Sequence, residues 1–231
     1  MKEIYINPEN LTAEITYTQT KTDESGIIVD TIIIPVIYSQ EQFDTENITR
    51  IDYYINEHIK DDNIKIYEDL CYSVGKINRL AEVNFDRLRR LINQYFLNRK
   101  YKSFFRKRDK ATQEIAKYNV LHNFNKLTFR QLFNILKYII ENDRKFQSIA
   151  EFETLEKREA FFEYYDRFIA NRNIFTHGII FISLPDMKIM CRAIVNNSEV
   201  YREIDENSIV STHQVYHLLD RVIGQMLEKL I

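Results

Sequence analysis

An apolar stripe in the middle of the chain limits the folds open to this sequence more than any other feature does. Its members recur at steps of three or four positions, the spacing that places side chains on one face of an α-helix. They are Leu70, Val74, Ile77, Ala81, Phe85, Leu88, Ile92 and Tyr95. Because strands alternate every two residues, this spacing predicts one long helix around which other elements pack.

Several other segments share the helical spacing. Two of them begin with a capping box, in which Thr128 or Ser211 is followed three residues later by Gln. Such a pair satisfies backbone groups that the first turn of a helix leaves open. The further predicted helices span about Asn47 to Ile59, Thr128 to Ile140, Thr154 to His177 and Ser211 to Leu230.

Two regions show strand patterns instead. The β-branched segments Glu14 to Thr20 and Ile27 to Tyr38 flank a turn-prone stretch from Asp23 to Gly26, which predicts a β-hairpin. After Gly178, three short runs separated by turn residues predict a meander. These runs are Ile179 to Leu184, Met187 to Val195 and Val200 to Ile204. Whether the two β regions pair with each other is left open.

The predicted fold is mainly α, an all-helical bundle with small β additions. Residues 1–43 form an N-terminal β-hairpin appendage, and residues 44–231 form the helical domain with a β insertion at about 179–204. No Pro/Gly/Ser-rich linker marks a second independent domain, and no internal repeat is present.

Cysteine usage and hydropathy favour a cytoplasmic protein. The two cysteines, Cys71 and Cys191, stand alone and far apart, which does not suggest a disulfide framework or a cysteine zinc site. The most apolar run, Ile27 to Tyr38, is far shorter than the roughly 20 residues needed to span a bilayer. The N-terminal residues lack a signal-peptide pattern, so no membrane association is predicted. The net charge of −2 gives no overall basic field for nucleic acid.

A six-residue segment, Arg-Asn-Ile-Phe-Thr-His, ends the helix predicted from Thr154 and is followed by Gly178. Arg172 falls into an apolar stripe made of Phe161, Tyr165, Phe168 and Phe175. A guanidinium on such a face should meet carboxylates, line a solvent cleft or approach a dimer axis. His177 would also be an ordinary residue for a helix C-terminus, with Gly178 as the residue that ends the helix.

This segment resembles the signature of the HEPN superfamily, in which Arg and His are separated by four to six residues and a polar residue follows the Arg. The resemblance implies a homodimeric endoribonuclease that uses neither metal nor cofactor, with Arg172 and His177 catalytic and Asn173 orienting them. Family members include ribonuclease toxins and anti-phage defence nucleases, so it also implies an RNA substrate and a cognate antitoxin or defence-system partner. The β segments are not part of the family's core pattern.

The residue types suit metal-free RNA cleavage. Histidine titrates near neutral pH and exchanges protons readily, whereas arginine stays charged and its planar fork fits phosphate oxygens. One motif supplies a single His, so two motifs facing each other across a homodimer would provide both an acid and a base. The products would carry 2′,3′-cyclic phosphate and 5′-hydroxyl ends.

A basic run from Arg99 to Lys110 surrounds Tyr101, Phe104 and Phe105, a mixture that binds phosphates and stacks on bases. The candidate RNA contacts are Arg99, Lys100, Lys102, Arg106, Lys107 and Arg108. The alternative is a solvated helix end or loop.

Other site types lack support in the sequence. The four glycines are isolated, which excludes P-loop and dinucleotide fingerprints. His213 and His217 have a chelating spacing, but no Glu follows His213, so no metal site is predicted.

Two rival functions stay open. One is a catalytically inactive HEPN-like module that dimerises and binds a partner protein or a nucleotide. The other is a helical scaffold, which an Arg172 paired with a buried carboxylate of its own subunit would favour.

Overall fold

The computed structural model describes residues 13–38, 55, 57–97, 126–184, 186–195 and 197–230. The elements of this part are, in chain order, β1 (Ala13–Thr22), β2 (Ile28–Tyr38), α1 (Asp61–Tyr95), α2 (Phe129–Asn142), α3 (Leu155–His177), β3 (Ile179–Leu184), β4 (Lys188–Val195), β5 (Ser198–Glu203) and α4 (Glu206–Glu228). Two short 3-10 helices, Arg144–Phe146 and Ala150–Phe152, lie between α2 and α3. The predicted basic run and the predicted boundary between residues 43 and 44 lie outside the described residues, as does most of the helix predicted from Asn47 to Ile59.

The chain forms two compact units. The sheet unit comprises Met1–Lys76 and Asn173–Val210, and the helical unit comprises Ile77–Arg172 and Ser211–Ile231.

All strands of the sheet unit belong to one mixed sheet with the order β1-β2-β3-β4-β5. Neighbouring strands are antiparallel except β2 and β3, which run parallel with Val36 opposite Ile182. The prediction of a mainly α, all-helical bundle with small β additions is therefore wrong. A five-stranded sheet unites both β regions through a pairing between segments far apart in sequence, which local periodicity cannot reveal.

Burial along β2 shows where that strand becomes interior. Its first half alternates, with Ile32 and Ile34 buried and Ile33 60% exposed, as in a strand with one solvated face. Val36, Ile37 and Tyr38 are all buried, and they are the residues that pair with β3. The second half of β2 is thus a central strand covered on both faces.

The three strands predicted after Gly178 are confirmed. β3 has the predicted bounds, Ile179–Leu184, and β4 and β5 follow at Lys188–Val195 and Ser198–Glu203. Phe181 and Met190 are opposite each other on β3 and β4, and both are buried with Ile37 and Tyr201 in one cluster. From α1, the hydroxyl of Tyr67 donates to the carbonyl oxygen of Ile180 at 3.1 Å, which ties the first part of that helix to β3.

The core of the helical unit is rich in aromatic side chains. Tyr165 is fully buried, and its ring centroid lies 4.7 Å from that of Phe133 and 5.8 Å from that of Phe129. Fully burying one such apolar side chain contributes about 1.5–3 kcal/mol, so this cluster is the main source of cohesion for α2 and α3. None of the described helices is long and apolar enough to cross a membrane.

The helix starts follow local capping chemistry. The predicted capping box at Thr128 is confirmed, because its hydroxyl accepts from the N–H of Gln131 and the Gln131 side chain accepts from the N–H of Thr128. The start predicted at Ser211 is wrong, since α4 already begins at Glu206. There the Asp205 carboxylate accepts from the N–H of Ser208 at 2.7 Å, and this earlier cap starts the helix.

Candidate functional site

The segment Arg172 to His177 forms the last six positions of α3, and β3 begins two residues after His177. The predicted helix from about Thr154 is confirmed with bounds Leu155–His177. In an α-helix, residues five apart are separated by about 140° around the axis and roughly 7.5 Å along it. Arg172 and His177 therefore leave α3 in different directions.

Arg172 is held by a carboxylate of the same chain. Its guanidinium donates a hydrogen bond to Glu82 of α1 and forms an ion pair with it. The Arg172 side chain is 21% exposed, whereas that of Glu82 is 55% exposed. Of the three environments expected for Arg172, the carboxylate contact is present, but the carboxylate is at the surface and not buried.

The exposure of Glu82 determines how strong its ion pair with Arg172 is. An ion pair that is open to water contributes between about 0 and 1 kcal/mol to stability, because solvent and salt screen it. A phosphate oxygen offers the same fork-shaped guanidinium a charge-assisted bond of similar geometry. The contact with Glu82 is thus of a kind that a phosphate oxygen is chemically able to replace.

His177 and Asn173 are both exposed. His177 is the last residue of α3, so its imidazole stands at the end of a helix where solvent and a ligand have access. Asn173 follows Arg172 directly and is one turn before His177 on the same helix.

The turn that carries His177 is fixed by the sheet unit. The carbonyl oxygen of Ile174 accepts from the N–H of Gly178 at 2.7 Å and from the thiol of Cys191 at 3.7 Å. Burial raises the pKa of the Cys191 thiol to about 11, so this group stays protonated and able to donate. The last turn of α3 is thereby anchored to β4.

Gly178 is required by space. A Cβ at this position would lie 2.3 Å from the Cys191 sulfur and 2.5 Å from the Ile174 carbonyl oxygen. Among the described glycines only Gly26 has a positive φ, so Gly178 does not end α3 in the left-handed conformation usual for such a residue. Its lack of a side chain lets the chain pass from His177 into β3 against β4.

Glu82 is the residue that sequence reasoning missed. The chain has 34 acidic residues, and on a long helix the exposed ones give no local signal that one of them faces a particular arginine. The available signal was the position of Arg172 on an apolar stripe. It predicts that Arg172 has a polar partner but does not indicate which residue that partner is.

The other predicted site residues do not come together with this segment in the part of the chain that the structure describes. The basic run is not in that part. His213 and His217 lie on α4, and within the described residues no group of three or more His, Cys, Asp or Glu side chains is arranged to hold a metal ion.

No protein-family model, curated protein or solved structure matches this chain.

Proposed function

We propose that this protein is a metal-independent endoribonuclease of the HEPN type that acts as a homodimer, and that it serves as a toxin or an anti-phage defence effector. The observation that carries the proposal is the end of α3, where an exposed His177 and an Arg172 paired with the exposed carboxylate of Glu82 lie on one helix. Both side-chain types match the chemistry of RNA cleavage by an internal nucleophile.

The reaction uses the RNA's own 2′-hydroxyl. Its oxygen attacks the adjacent phosphorus, a new 2′-O–P bond forms, and the bond from phosphorus to the 5′-oxygen breaks. One imidazole takes the proton of the 2′-hydroxyl while a second, protonated imidazole gives a proton to the departing 5′-oxygen. In a homodimer the two His177 side chains supply these two groups. The products are a 2′,3′-cyclic phosphate and a 5′-hydroxyl.

Arg172 stabilises the transition state in this proposal. Negative charge builds on the non-bridging oxygens of the phosphorane, and a preoriented guanidinium offsets it without having to reorganise. In the free protein the guanidinium pairs with Glu82, and the phosphate replaces that carboxylate when RNA binds. Asn173 orients the reacting groups, and the basic run from Arg99 to Lys110 adds phosphate contacts that guide RNA without taking part in proton transfer.

The test compares the wild type with His177→Ala. Both are incubated with total RNA, with and without EDTA, and the ends are analysed for cyclic phosphate. The wild type should cleave in both conditions, and His177→Ala should lose about 100- to 10,000-fold in rate, the usual cost of losing an acid/base group. His217→Ala, which changes an exposed histidine on α4, serves as the matched control and should cleave normally.

Equal cleavage by the wild type and His177→Ala would remove His177 from the chemistry. Absence of cleavage by either protein across a broad set of RNAs would favour the inactive interaction module. The contact of Arg172 with Glu82 of the same chain is closer to what the helical scaffold would require, but that hypothesis calls for a buried carboxylate and the Glu82 side chain is 55% exposed.

A further inference from the structure

Two polar side chains lie inside the aromatic core of the helical unit. Asn84 of α1 and Tyr165 of α3 are both fully buried, and the Tyr165 hydroxyl donates to Asn84 Oδ1 at 2.8 Å. Burial raises the pKa of Tyr165 well above its usual range, so the hydroxyl remains a donor. The rings around Tyr165 belong to Phe129, Phe133, Phe161 and Phe168.

This pair is a poor source of stability. Burying an amide costs free energy that a single hydrogen bond recovers only in part. Within the described residues, the Asn84 Nδ2 group is buried and has no hydrogen-bond partner. Leucine at this position would fill a similar volume without that cost. A buried polar pair can instead favour one alignment of two helices, because its hydrogen bond forms only when the two groups face each other.

The alignment matters for Arg172. Tyr165 and Arg172 are seven residues apart and therefore share one face of α3. Their partners, Asn84 and Glu82, are two residues apart on α1. Side chains of a helix lean towards its N-terminus, so the long Arg172 side chain reaches back along this face in the direction of Tyr165. The buried pair, Asn84 with Tyr165, and the surface pair, Glu82 with Arg172, are thus neighbouring contacts between α1 and α3.

A change of register would separate the surface pair. Moving α1 by one residue against α3 would shift Glu82 by about 1.5 Å along the helix and 100° around it. The Arg172 guanidinium would then lose its contact with Glu82, whereas apolar side chains between the helices could repack around a new alignment. The hydrogen bond between Asn84 and Tyr165 opposes such a shift.

We infer that Asn84 and Tyr165 are positioning residues that fix the register of α1 against α3 and so present Glu82 to Arg172. Their effect on cleavage rests on the proposed function, but their effect on the ion pair does not. The two effects are measured separately.

The experiment uses the double variant Asn84→Leu/Tyr165→Phe, which removes both polar groups and keeps the volume. In this background and in the wild type, a double-mutant cycle with Glu82→Gln and Arg172→Gln measures coupling from urea unfolding. An exposed pair should couple by about two- to fivefold in the unfolding constant of the wild type. In the variant background the coupling should fall to about one, although the protein is as stable as the wild type or more so.

A purely structural role makes a different prediction. If Asn84 and Tyr165 affect only the stability of the core, a folded Asn84→Leu/Tyr165→Phe protein should retain the coupling between Glu82 and Arg172. That result would overturn the inference. Ile135→Val, a buried change on α2, is the control for small losses of core packing and should leave the coupling intact. Tyr165→Phe alone, which removes only the hydroxyl, gives the same comparison if the double variant does not fold.

Cleavage assays on the same proteins separate the two proposals. With an active wild type, loss of coupling should come with a kcat at least about tenfold lower and a cleavage pattern otherwise unchanged. An inactive wild type would contradict the proposed function, while the unfolding cycle would still decide whether Asn84 and Tyr165 position Glu82.

Discussion

At the scale of single residues, Arg172 forms a weak ion pair with Glu82, and we propose a demanding chemical role for the same side chain. Its contact with Glu82 is open to water and therefore contributes little to stability. In RNA cleavage, however, the planar guanidinium would contact phosphate oxygens through two parallel bonds, which an ammonium group cannot do. Stability and activity should respond differently to the same conservative change.

We expect Arg172→Lys to lower the rate of RNA cleavage by about 100-fold, because the charge remains while the fork is lost. Its free energy of unfolding should change by less than about 1 kcal/mol. Kinetics with a defined RNA and urea unfolding would measure the two effects. Arg167→Lys, on the same helix and paired with the exposed Glu163, should alter neither. An Arg172→Lys protein with the wild-type rate would show that a simple positive charge is sufficient.

The sequence was informative about Arg172 for a physical reason. An arginine within an apolar stripe requires compensation, and that requirement can be recognised from periodicity alone. Which carboxylate meets it depends on how α1 lies against α3, and Glu82 looks like any other exposed helix residue. The buried hydrogen bond between Asn84 and Tyr165 was equally hidden, because an Asn on an apolar face has no marked partner in the sequence.

At the scale of elements, the junction between α3 and β3 depends on a single missing side chain. A Cβ on residue 178 would lie too close to the Cys191 sulfur and to the Ile174 carbonyl oxygen. The carbonyl belongs to the backbone of α3 and cannot rotate away, unlike the end of a flexible side chain. The last turn of α3, which bears His177, is set by this contact.

Gly178→Ala should therefore destabilise the protein by about 1–3 kcal/mol, the usual cost of forcing extra atoms into a packed site. It should also reduce cleavage, since His177 is the preceding residue. Gly75→Ala is the matched control, because a Cβ there meets nothing within 4 Å. That change in the exposed interior of α1 should stabilise by about 0.5–1 kcal/mol. Equal urea midpoints for Gly178→Ala and the wild type would mean that the junction adjusts freely.

Elements defined by local chemistry were predicted well, and those defined by distant partners were not. The capping box at Thr128 and the three strands after Gly178 were visible in the sequence, because turn residues and periodicity act over a few positions. The fold class was wrong, since the hairpin and the meander become one sheet only through β2 and β3. The start of α4 was misplaced because two adjacent capping patterns compete, and Asp205 with Ser208 precedes Ser211.

At the scale of the whole molecule, the proposed active site requires two chains. The apolar stripe of α3 does not require a second chain to cover it, because Phe161, Tyr165, Phe168 and Phe175 are all buried within the chain. The remaining argument is chemical: one motif contains one histidine, and the reaction needs both a base and an acid. The homodimer, with an interface that includes α3, stays a prediction.

Subunit mixing tests directly whether each active site needs two chains. A fixed amount of wild type is allowed to exchange subunits with a ninefold excess of His177→Ala, with RNA in large excess over both proteins. If each active site needs two His177 side chains, random pairing leaves about one tenth of the original active dimers, so cleavage should fall about tenfold. The same excess of an unrelated protein is the control. Undiminished cleavage, or a monomer in sedimentation at micromolar concentration, would contradict the composite site.

The parallel pairing of β2 with β3 also bears on how the protein is made. A ribosome adding roughly 5–20 residues per second releases the hairpin many seconds before β3 emerges, so the inner edge of β2 stays open to other nascent chains during that time. The segment from Arg172 to His177 is translated immediately before the strand that closes this edge. Assembly of the sheet and completion of the last turn of α3 therefore coincide in translation, so the proposed activity would not precede the pairing of β2 with β3.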